Sequence, residues 1–445
     1  MASMTADEKQ AEQEYNEALA FLDSLQFHKI KLGLAPMRDF LAKAGNPENQ
    51  LKIIHVAGTN GKGSVSAGLV SVLREAGFRA GLYTSPHLSS PRERFRINNS
   101  FISKADFTRL NQKIRAQLAG DMITYFEFTT ALALLWFHEQ KVDFAVLETG
   151  LGGRIDATNV IHQPLLTIIT SISMDHEIYL GDSIEQIASE KAGIIKSGVP
   201  IICGNKAEEI CSVISAKAEE LEAPLFILGR DFDFLPLADN HWDFESTVTG
   251  EKFRLDDLHN NKPGLHQAEN GSLILTALQL LQQRGIKIQE QEIRRGLLTT
   301  AWPGRLEYLE LQTQEKSHRF LLDGAHNPAG VASLLDALPS FSFDRLICIW
   351  GAMADKNIRD SLNKVAAVAD RLILCGIQSE RGAKPEAMHA MLDKKKEFRV
   401  ICISSSEKAM AKAMELATEN DLILIAGSLY LIGELRPLLA GELVD

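Results

Sequence analysis

The stretch HVAGTNGKGS, residues 55–64, stands between a strand pattern and a helix pattern. The preceding run LKIIHV (51–56) has the length and composition of a buried strand. The following run SVSAGLVSVLREAG (64–77) repeats apolar residues at helical spacing and ends at a glycine. The segment is therefore predicted to fold as a strand, a tight turn and a helix, which is the repeating unit of α/β domains.

Further apolar strands follow at VDFAVLE (142–148), LLTIITS (165–171) and VPIIC (199–203), with helical patterns between them. Nearly uninterrupted apolar strands in such an alternation are typical of a parallel sheet covered on both faces. Residues 225–256 alternate apolar and polar side chains instead, which predicts a small antiparallel elaboration.

A second series of strands begins after TTAWPGR (299–305), with RFLLD, RLICIWG, RLILCG, EFRVICIS and DLILIAG separated by helical patterns. We therefore predict a first domain over residues 1–298, a hinge over 299–305 and a second domain over 306–445. The predicted fold class is α/β: a P-loop ATPase domain with a mostly parallel sheet, followed by a smaller Rossmann-like α/β domain.

Composition narrows the class of protein. The chain has 445 residues, 45% hydrophobic and 24% charged, as in ordinary globular proteins. Its formal net charge of -11 argues against broad nucleic-acid binding. The five cysteines are odd in number and contain no C-x-x-C pair, which fits a reducing compartment. Because the N-terminus is polar and acid-rich and the apolar runs are short, we expect a cytoplasmic protein without a membrane segment.

The glycine-rich turn has the chemistry of a phosphate cradle. Backbone N–H groups and the positive end of a helix dipole face any anion bound there. Gly58, Gly61 and Gly63 allow close approach, Lys62 adds a charge for terminal phosphates, and the Ser64 hydroxyl can reach a bound magnesium ion. The spacing departs from G-x-x-x-x-G-K-[ST], because Gly63 precedes the hydroxyl. A plain turn with a capping serine is the alternative, but it gives the lysine no purpose.

Polar residues follow the other strands of the first domain. Glu148 ends VDFAVLE, Asp156 lies in the next turn, and Asp175 and His176 follow LLTIITS. Ligands bind at the carboxyl ends of strands in open α/β sheets, so these side chains are expected to meet there. Taken singly, Glu148 remains open to interpretation as a solvated strand end and His176 as a packed or surface histidine. The spacing of Lys191 does not distinguish it from a solvated helix lysine.

The second domain shows a similar arrangement. DGAHNP (323–328) follows the strand RFLLD and precedes a helix that is expected to begin near Pro328. Asp323 and His326 are thus displayed at a strand end that faces the hinge. Arg305 follows the hinge glycine, and a guanidinium suits the charge that develops in phosphoryl transfer, although a surface role is the alternative.

Nine motifs together resemble one known family over nearly the whole chain. GTNGKGS, TSPHL with ERFRIN after it, FEFTT, LETGLGGRIDATN, MDH, SEKAGIIK, WPGRLE, DGAHNP and GSLYLIGE occur in the order seen in folylpolyglutamate synthases of the Mur ligase superfamily. The resemblance implies that ATP phosphorylates a substrate carboxylate and that the amino group of L-glutamate then attacks the acyl phosphate. It also implies magnesium, with two ions expected and K⁺ as an optional further cation.

The resemblance assigns roles residue by residue. The residues implied for ATP are Gly58, Thr59, Asn60, Gly61, Lys62, Gly63, Ser64, Asn270, Arg305 and Asp323. Those implied for metal are Ser64, Glu148, His176 and Lys191, and those with a catalytic role are Lys62, His176, Lys191, Arg305 and His326. In the family the lysine of the EKAGI motif, here Lys191, is carbamylated, which would convert a cation into an anionic metal ligand.

The remaining assignments concern the acceptor and the incoming amino acid. The residues implied for a pterin acceptor are Leu32, Gly33, Leu34, Phe126, Asp156 and Ala157, and those for glutamate are His326 and Ser428. GGRIDATN is more similar to bifunctional members that also join glutamate to dihydropteroate, so both activities are expected, in a monomer. The alternatives are a synthase that only extends folates, another Mur-type amino-acid ligase, and a P-loop switch protein that uses ATP to change shape.

Overall fold

The computed structural model describes residues 5–25, 33–314, 316–354, 358–393 and 399–444. In this part of the chain, eight strands of the first domain form one sheet. They are β1 (Ile53–Ala57), β2 (Ala80–Tyr83), β3 (Phe95–Ile97), β4 (Ser100–Phe101), β5 (Phe144–Glu148), β6 (Leu166–Ile169), β7 (Ile201–Cys203) and β8 (Leu225–Ile227). The strand order is β4-β3-β2-β5-β1-β6-β7-β8, and only the pairings of β3 are antiparallel. The predicted mostly parallel sheet is confirmed.

Helices cover both faces of this sheet because its strands are apolar on both sides. The helices of the first domain are α1 (Ala6–Ser24), α2 (Ala35–Lys43), α3 (Lys62–Glu75), α4 (Lys104–Leu118), α5 (Tyr125–Glu139), α6 (Glu177–Leu180), α7 (Ile184–Ala192), α8 (Glu208–Glu220), α9 (Leu265–Gln283) and α10 (Glu290–Leu298). One core joins α3, α9 and α10 to the sheet, and another joins α1, α4 and α5. The strands β5 and β1 are the two central strands of the sheet, between these two cores.

The antiparallel elaboration predicted over residues 225–256 is a sheet of three described strands, β9 (Phe232–Pro236), β10 (His241–Ser246) and β11 (Phe253–His259). The prediction was wrong for β8, which pairs parallel with β7 at the edge of the main sheet. It packs on α9, where a Cβ on Gly271 would lie 2.4 Å from the Trp242 ring. The elaboration thus closes one side of the first domain's core.

The second domain contains six strands among its described residues: β12 (Glu307–Gln312), β13 (Ser317–Asp323), β14 (Leu346–Trp350), β15 (Arg371–Cys375), β16 (Val400–Ile403) and β17 (Leu422–Ala426). Their order is β12-β13-β17-β14-β15-β16, with β12 antiparallel at the edge and the other pairings parallel. The helices are α11 (Pro328–Ala337), α12 (Ile358–Val368), α13 (Pro385–His389), α14 (Ser406–Leu416) and α15 (Leu429–Ala440). Sequence patterns missed β12, because its residues alternate between half-buried and exposed instead of forming an apolar run.

The segment 299–305 lies between α10 and β12, and so between the two sheets. The domain boundaries at this segment stay a prediction. Within the described ranges, the structure contains no helix that combines the length and apolar character needed to span a membrane.

Candidate active site

The turn between β1 and α3 depends on its glycines. Gly58 has φ +150°, and a Cβ there would lie 1.8 Å from the Thr170 hydroxyl oxygen. Gly61 has φ +87°, and a Cβ there would lie 2.5 Å from Asn270 Oδ1. The helix α3 begins at Lys62, so its first N–H groups have no partner inside the helix and face the cavity described below. The turn therefore presents an anion-binding helix terminus.

Gly63, the residue that breaks the common spacing, lies beneath an indole. A Cβ on Gly63 would approach the Trp302 ring to between 2.5 and 2.9 Å. Trp302 belongs to the predicted hinge, so the hinge covers the start of α3. The additional glycine is thus explained by close packing of the hinge on the turn.

Glu148 ends β5 beside this turn, and its buried carboxylate accepts few hydrogen bonds. Among the described residues its single hydrogen bond is a long one of 3.4 Å, donated by Ser85 N to Oε2. Lys62 Nζ lies 3.9 Å from Oε1 and donates to Gly58 O at 3.1 Å and to Thr59 O at 3.2 Å. The expectation that this lysine has no structural purpose in the turn was therefore wrong. Burial raises the pKa of Glu148 to about 7, and the positive charge of Lys62 opposes that rise. A buried carboxylate with unused lone pairs is the donor that a divalent cation needs.

Lys191, on α7, reaches the same turn from the other side. It is buried, and its Nζ donates to Gly58 O at 2.9 Å. Burial and the nearby charge of Lys62 lower the pKa of Lys191 to about 7, so a large share of the amine is neutral at neutral pH. As an ammonium, this group would repel a metal ion.

The strand end after β6 brings Asp175 into the centre of the site. Asn327 Nδ2 donates to Asp175 Oδ2 at 3.3 Å, and His326 Nε2 lies 3.6 Å from the same oxygen. His176 is largely exposed, with its Nε2 4.0 Å from Asp175 Oδ2. The charge of Asp175 also acts on Lys191. The sequence places Asp175 at a strand end, and the family motifs assign it no role.

The two domains meet at the turn through a pair of amides. Asn60 Nδ2 donates to Asn327 Oδ1 at 3.4 Å, and Asn327 Nδ2 donates to Asn60 Oδ1 at 3.1 Å. Asn327 also caps α11, because its Oδ1 accepts the Gly330 N–H at 2.7 Å. The helix begins at Pro328, as predicted. His326 Nδ1 donates to Gly324 O at 2.9 Å, which fixes the orientation of the ring.

Asp323 and a buried lysine bind the backbone of the predicted hinge segment, residues 299–305, and of Leu306 after it. Asp323 accepts from Leu306 N at 2.8 Å and from Ala325 N at 2.9 Å. Lys262 Nζ donates to the carbonyl oxygens of Trp302 and Arg305. These bonds fix the backbone on both sides of Arg305, whose side chain lines the cavity. Binding of nucleotide by Asp323 and Arg305 stays a prediction. No motif in the sequence indicates the role of Lys262.

The Asp156 carboxylate is engaged within its own loop. Its Oδ2 accepts from Gly150 N and Leu151 N, both at 2.8 Å, and its Oδ1 accepts from the N–H and hydroxyl of Thr158 at 3.0 and 2.5 Å. A carboxylate offers about four acceptor positions, and all four are used. Phe126 packs against the same loop, where a Cβ on Gly150 would lie 2.5 Å from its ring.

One cavity of about 1030 Å³ collects nearly all of the predicted residues. Those that line it are Gly33, Gly58, Thr59, Asn60, Gly61, Lys62, Gly63, Ser64, Phe126, Glu148, Asp156, Ala157, His176, Lys191, Asn270, Arg305, Asp323, His326 and Ser428. Leu34 does not line it and packs against the core formed by α1, α2, α4 and α5. Leu32 lies outside the described residues. Ser428 caps α15 by accepting Tyr430 N–H at 3.1 Å.

The cavity has further lining residues that received no role from the sequence, including Ser85, His87, Arg94 and Trp302. The motifs TSPHL, ERFRIN and WPGRLE contain them, so a signal was present. Among the described residues, no three His, Cys, Asp or Glu side chains cluster closely enough to hold a metal ion. A cation here would therefore need phosphate oxygens or water as additional ligands.

Comparisons with known proteins agree on one group. Residues 304–429 match the family model described as Mur ligase, glutamate ligase domain. The Bacillus subtilis dihydrofolate synthase/folylpolyglutamate synthase is 35% identical over 439 residues, which cover 95% of this chain and 98% of that protein. The folylpolyglutamate synthase of Lacticaseibacillus casei is 33% identical over 436 residues, with 96% and 99% covered.

Two solved structures are similar throughout. Escherichia coli FolC in complex with DHPP and ADP has a TM-score of 0.83 and 30% identity, covering 95% of this chain and 97% of that chain. The Yersinia pestis bifunctional folylpolyglutamate synthase/dihydrofolate synthase with Mn, AMPPNP and L-glutamate bound has a TM-score of 0.82 and 31% identity, covering 95% and 98%.

Proposed function

The chain belongs to the dihydrofolate synthase/folylpolyglutamate synthase family of Mur-type ligases, and we propose that its cavity joins L-glutamate to two kinds of acceptor. It is an ATP-dependent, amide-forming ligase, as the motifs implied. With dihydropteroate the product is dihydrofolate, and with tetrahydrofolate the product is its polyglutamate. A cytoplasmic location and a monomeric state stay predictions.

The observation that carries this proposal is the contact between the phosphate turn and the second domain. Asn60 of the turn pairs with Asn327, and Asp175 lies 3.6 Å from His326. The residues of DGAHNP therefore face the nucleotide site across the same cavity. A ligase needs this arrangement, because the phosphorylated carboxylate must meet the attacking amine before water does.

The chain's own groups suit both chemical steps. The start of α3 and Lys62 hold the ATP phosphates while a carboxylate oxygen of the acceptor attacks the γ-phosphorus and ADP leaves. The amine of glutamate then attacks the acyl carbon, and inorganic phosphate leaves. The amine loses a proton in this second step, and His326 Nε2, 3.6 Å from Asp175 Oδ2, is positioned to accept it when the ring is in its neutral form.

A divalent cation fits beside the turn. Ser64 and Glu148 would hold it together with phosphate oxygens, and the poorly supported, buried Glu148 carboxylate is the observation that supports this fit. When bound, the cation neutralises phosphate charge. We assign a second ion to His176 and to the carbamate that we propose on Lys191. K⁺ stays a prediction.

The carbamate proposal rests on the buried amine of Lys191. The neutral Nζ attacks carbon dioxide, an N–C bond forms and a proton leaves the nitrogen, which yields an anion. Lys191→Ala is expected to lose at least about 100-fold in kcat and to regain activity with added formate or acetate. Lys196→Ala, a lysine on the same segment, is the control and is not expected to respond to the acid. Absence of rescue at any acid concentration would contradict a carboxylate function at Lys191.

The two activities are tested by assaying the purified protein with ATP, magnesium and glutamate, using either dihydropteroate or tetrahydrofolate as acceptor. Glutamate incorporation with both acceptors is expected. Turnover of tetrahydrofolate alone would reduce the function to that named for the Lacticaseibacillus casei relative. Phosphate release without any acceptor would favour an ATP-driven switch instead.

A further inference from the structure

A buried arginine in the cavity has no acidic partner within the described part of the chain. Arg94 directly precedes β3, lines the cavity and is only 7% exposed. Its Nε donates to His87 Nδ1 at 2.9 Å, and its guanidinium carbon lies 5.2 Å from the centre of the Tyr125 ring. Among the described residues, no carboxylate oxygen lies within 4.0 Å of its nitrogens. A charge left unpaired in a buried position is costly unless a ligand pairs with it.

The nearby acids are engaged elsewhere. The Glu93 carboxylate accepts backbone N–H groups from Leu88, Ser89 and Ser90 at 2.7 to 2.9 Å. Glu127 accepts from Thr124 N at 2.7 Å and caps α5. Arg94 lowers the pKa of Glu148, but only as a minor influence beside burial and Lys62. The charge of Arg94 is therefore available to an anion in the cavity.

His87 holds this arginine in place. Since His87 Nδ1 accepts the Arg94 Nε–H, the imidazole is neutral with its proton on Nε2. The guanidinium carries five N–H donors and His87 takes one, so donors remain for a carboxylate.

The position of Arg94 indicates which anion it binds. Tyr125, under the guanidinium, precedes Phe126 in the first turn of α5, and Phe126 is the aromatic residue predicted for the pterin. Glu148, on which Arg94 also acts, marks the phosphoryl end of the cavity. Arg94 thus lies between the end that binds the ring and the end that reacts.

Resting on the proposed function, we propose that Arg94 binds the free α-carboxylate of the terminal glutamate of a folate acceptor. Dihydropteroate has one carboxylate, and that group reacts. A folate acceptor reacts through its γ-carboxylate and keeps an ionised α-carboxylate, which needs a cation once it is buried. Arg94 therefore serves the chain-extending reaction and not the dihydrofolate-forming one.

The test compares both acceptors in the complete protein. Arg94→Gln is expected to lower kcat/KM for tetrahydrofolate about 10- to 100-fold more than for dihydropteroate. A tetrahydrofolate analogue with an α-carboxamide should show the same loss with the unmodified protein. Combining this analogue with Arg94→Gln should add little further loss, because both changes remove one interaction. Arg94→Lys, which keeps the positive charge, should recover part of the kcat/KM for tetrahydrofolate that Arg94→Gln loses.

Arg96→Gln provides the matched control. Arg96 is the next arginine along, lines the same cavity, and its guanidinium carbon lies 5.3 Å from the centre of the Phe101 ring. Arg96→Gln is expected to change kcat/KM for tetrahydrofolate and for dihydropteroate by the same factor. Two results would overturn the proposal: an equal loss of kcat/KM for both acceptors in Arg94→Gln, or a further full loss when this variant is given the carboxamide analogue. Either result would indicate that Arg94 binds the phosphates or the incoming glutamate. Failure of the unmodified protein with both acceptors would instead refute the proposed function.

Discussion

At the scale of single residues, the site is built on two groups whose charges are suppressed by burial. Glu148 and Lys191 both have a pKa near 7, reached from opposite directions. Lys62 lies close to both and affects each in the expected sense. In the proposed function both groups become anionic ligands of a divalent cation, Glu148 directly and Lys191 as its carbamate, and the cation offsets the cost of burying their charge.

Glu148→Gln is expected to raise the stability of the fold while it lowers ligase activity. Because the folded pKa of Glu148 is raised above 4.5 to about 7, the folded state holds an extra proton between these values. The carboxylate thus lowers stability as pH rises through that window. The variant is expected to be about 1–3 kcal/mol more stable than the unmodified protein at pH 8 and equally stable near pH 4.5. Urea unfolding at the two pH values measures this.

The same variant should lose ligase activity by about 100-fold or more, since an amide is a poor ligand for magnesium. An equal stability of the variant and the unmodified protein at both pH values would show that burial does not raise the pKa of Glu148. Full activity with Gln at this position would show that the metal site lies elsewhere.

At the scale of elements, the loop from Gly150 to Thr158 depends on Asp156. The resemblance assigns this carboxylate to the pterin, whereas its four acceptor positions serve the loop itself. We expect Asp156→Asn to lower stability by about 1–3 kcal/mol without any substrate present, because an amide accepts fewer of these bonds.

The control for this prediction is Asp121→Asn, which affects only an exposed ion pair with Lys43 and should change stability by less than about 1 kcal/mol. Thermal unfolding without ligands compares the two variants. Unchanged Tm in Asp156→Asn, together with a raised KM for dihydropteroate alone, would assign this carboxylate to the acceptor and not to the loop.

Strands with apolar runs could be predicted from the sequence, and so could the alternating strands of the antiparallel elaboration, but one edge strand could not. The strand, turn and helix around residues 55–64 formed as expected, because burial on both sides demands apolar residues there. The edge strand β12 was missed because one of its faces is exposed. The packing of Trp302 over Gly63 and the fixing of the hinge by Lys262 join residues far apart in sequence. No local pattern reveals such contacts.

At the scale of the whole molecule, we expect activity to depend on the contact between the second domain and the phosphate turn. Asn327 both caps α11 and bonds to Asn60 and Asp175. Asn327→Asp should retain the cap, because aspartate caps helices as well as asparagine does. It loses the amide donor, however, and places a like charge beside Asp175.

We therefore expect Asn327→Asp to keep its helical content by circular dichroism while kcat falls about tenfold or more. Asn327→Ser, which also caps helices but adds no charge, should show a smaller loss. Equal activity of the aspartate variant and the unmodified protein would mean that this domain contact is not used in the reaction.

The central claim is that this cavity activates a carboxylate by phosphorylating it. The most direct measurement uses dihydropteroate labelled with ¹⁸O in its carboxylate, together with ATP, magnesium and glutamate, and mass analysis of the released phosphate. One ¹⁸O atom in phosphate for each amide bond formed is the predicted result. Amide formation with unlabelled phosphate, or with the label in AMP, would contradict the acyl-phosphate account.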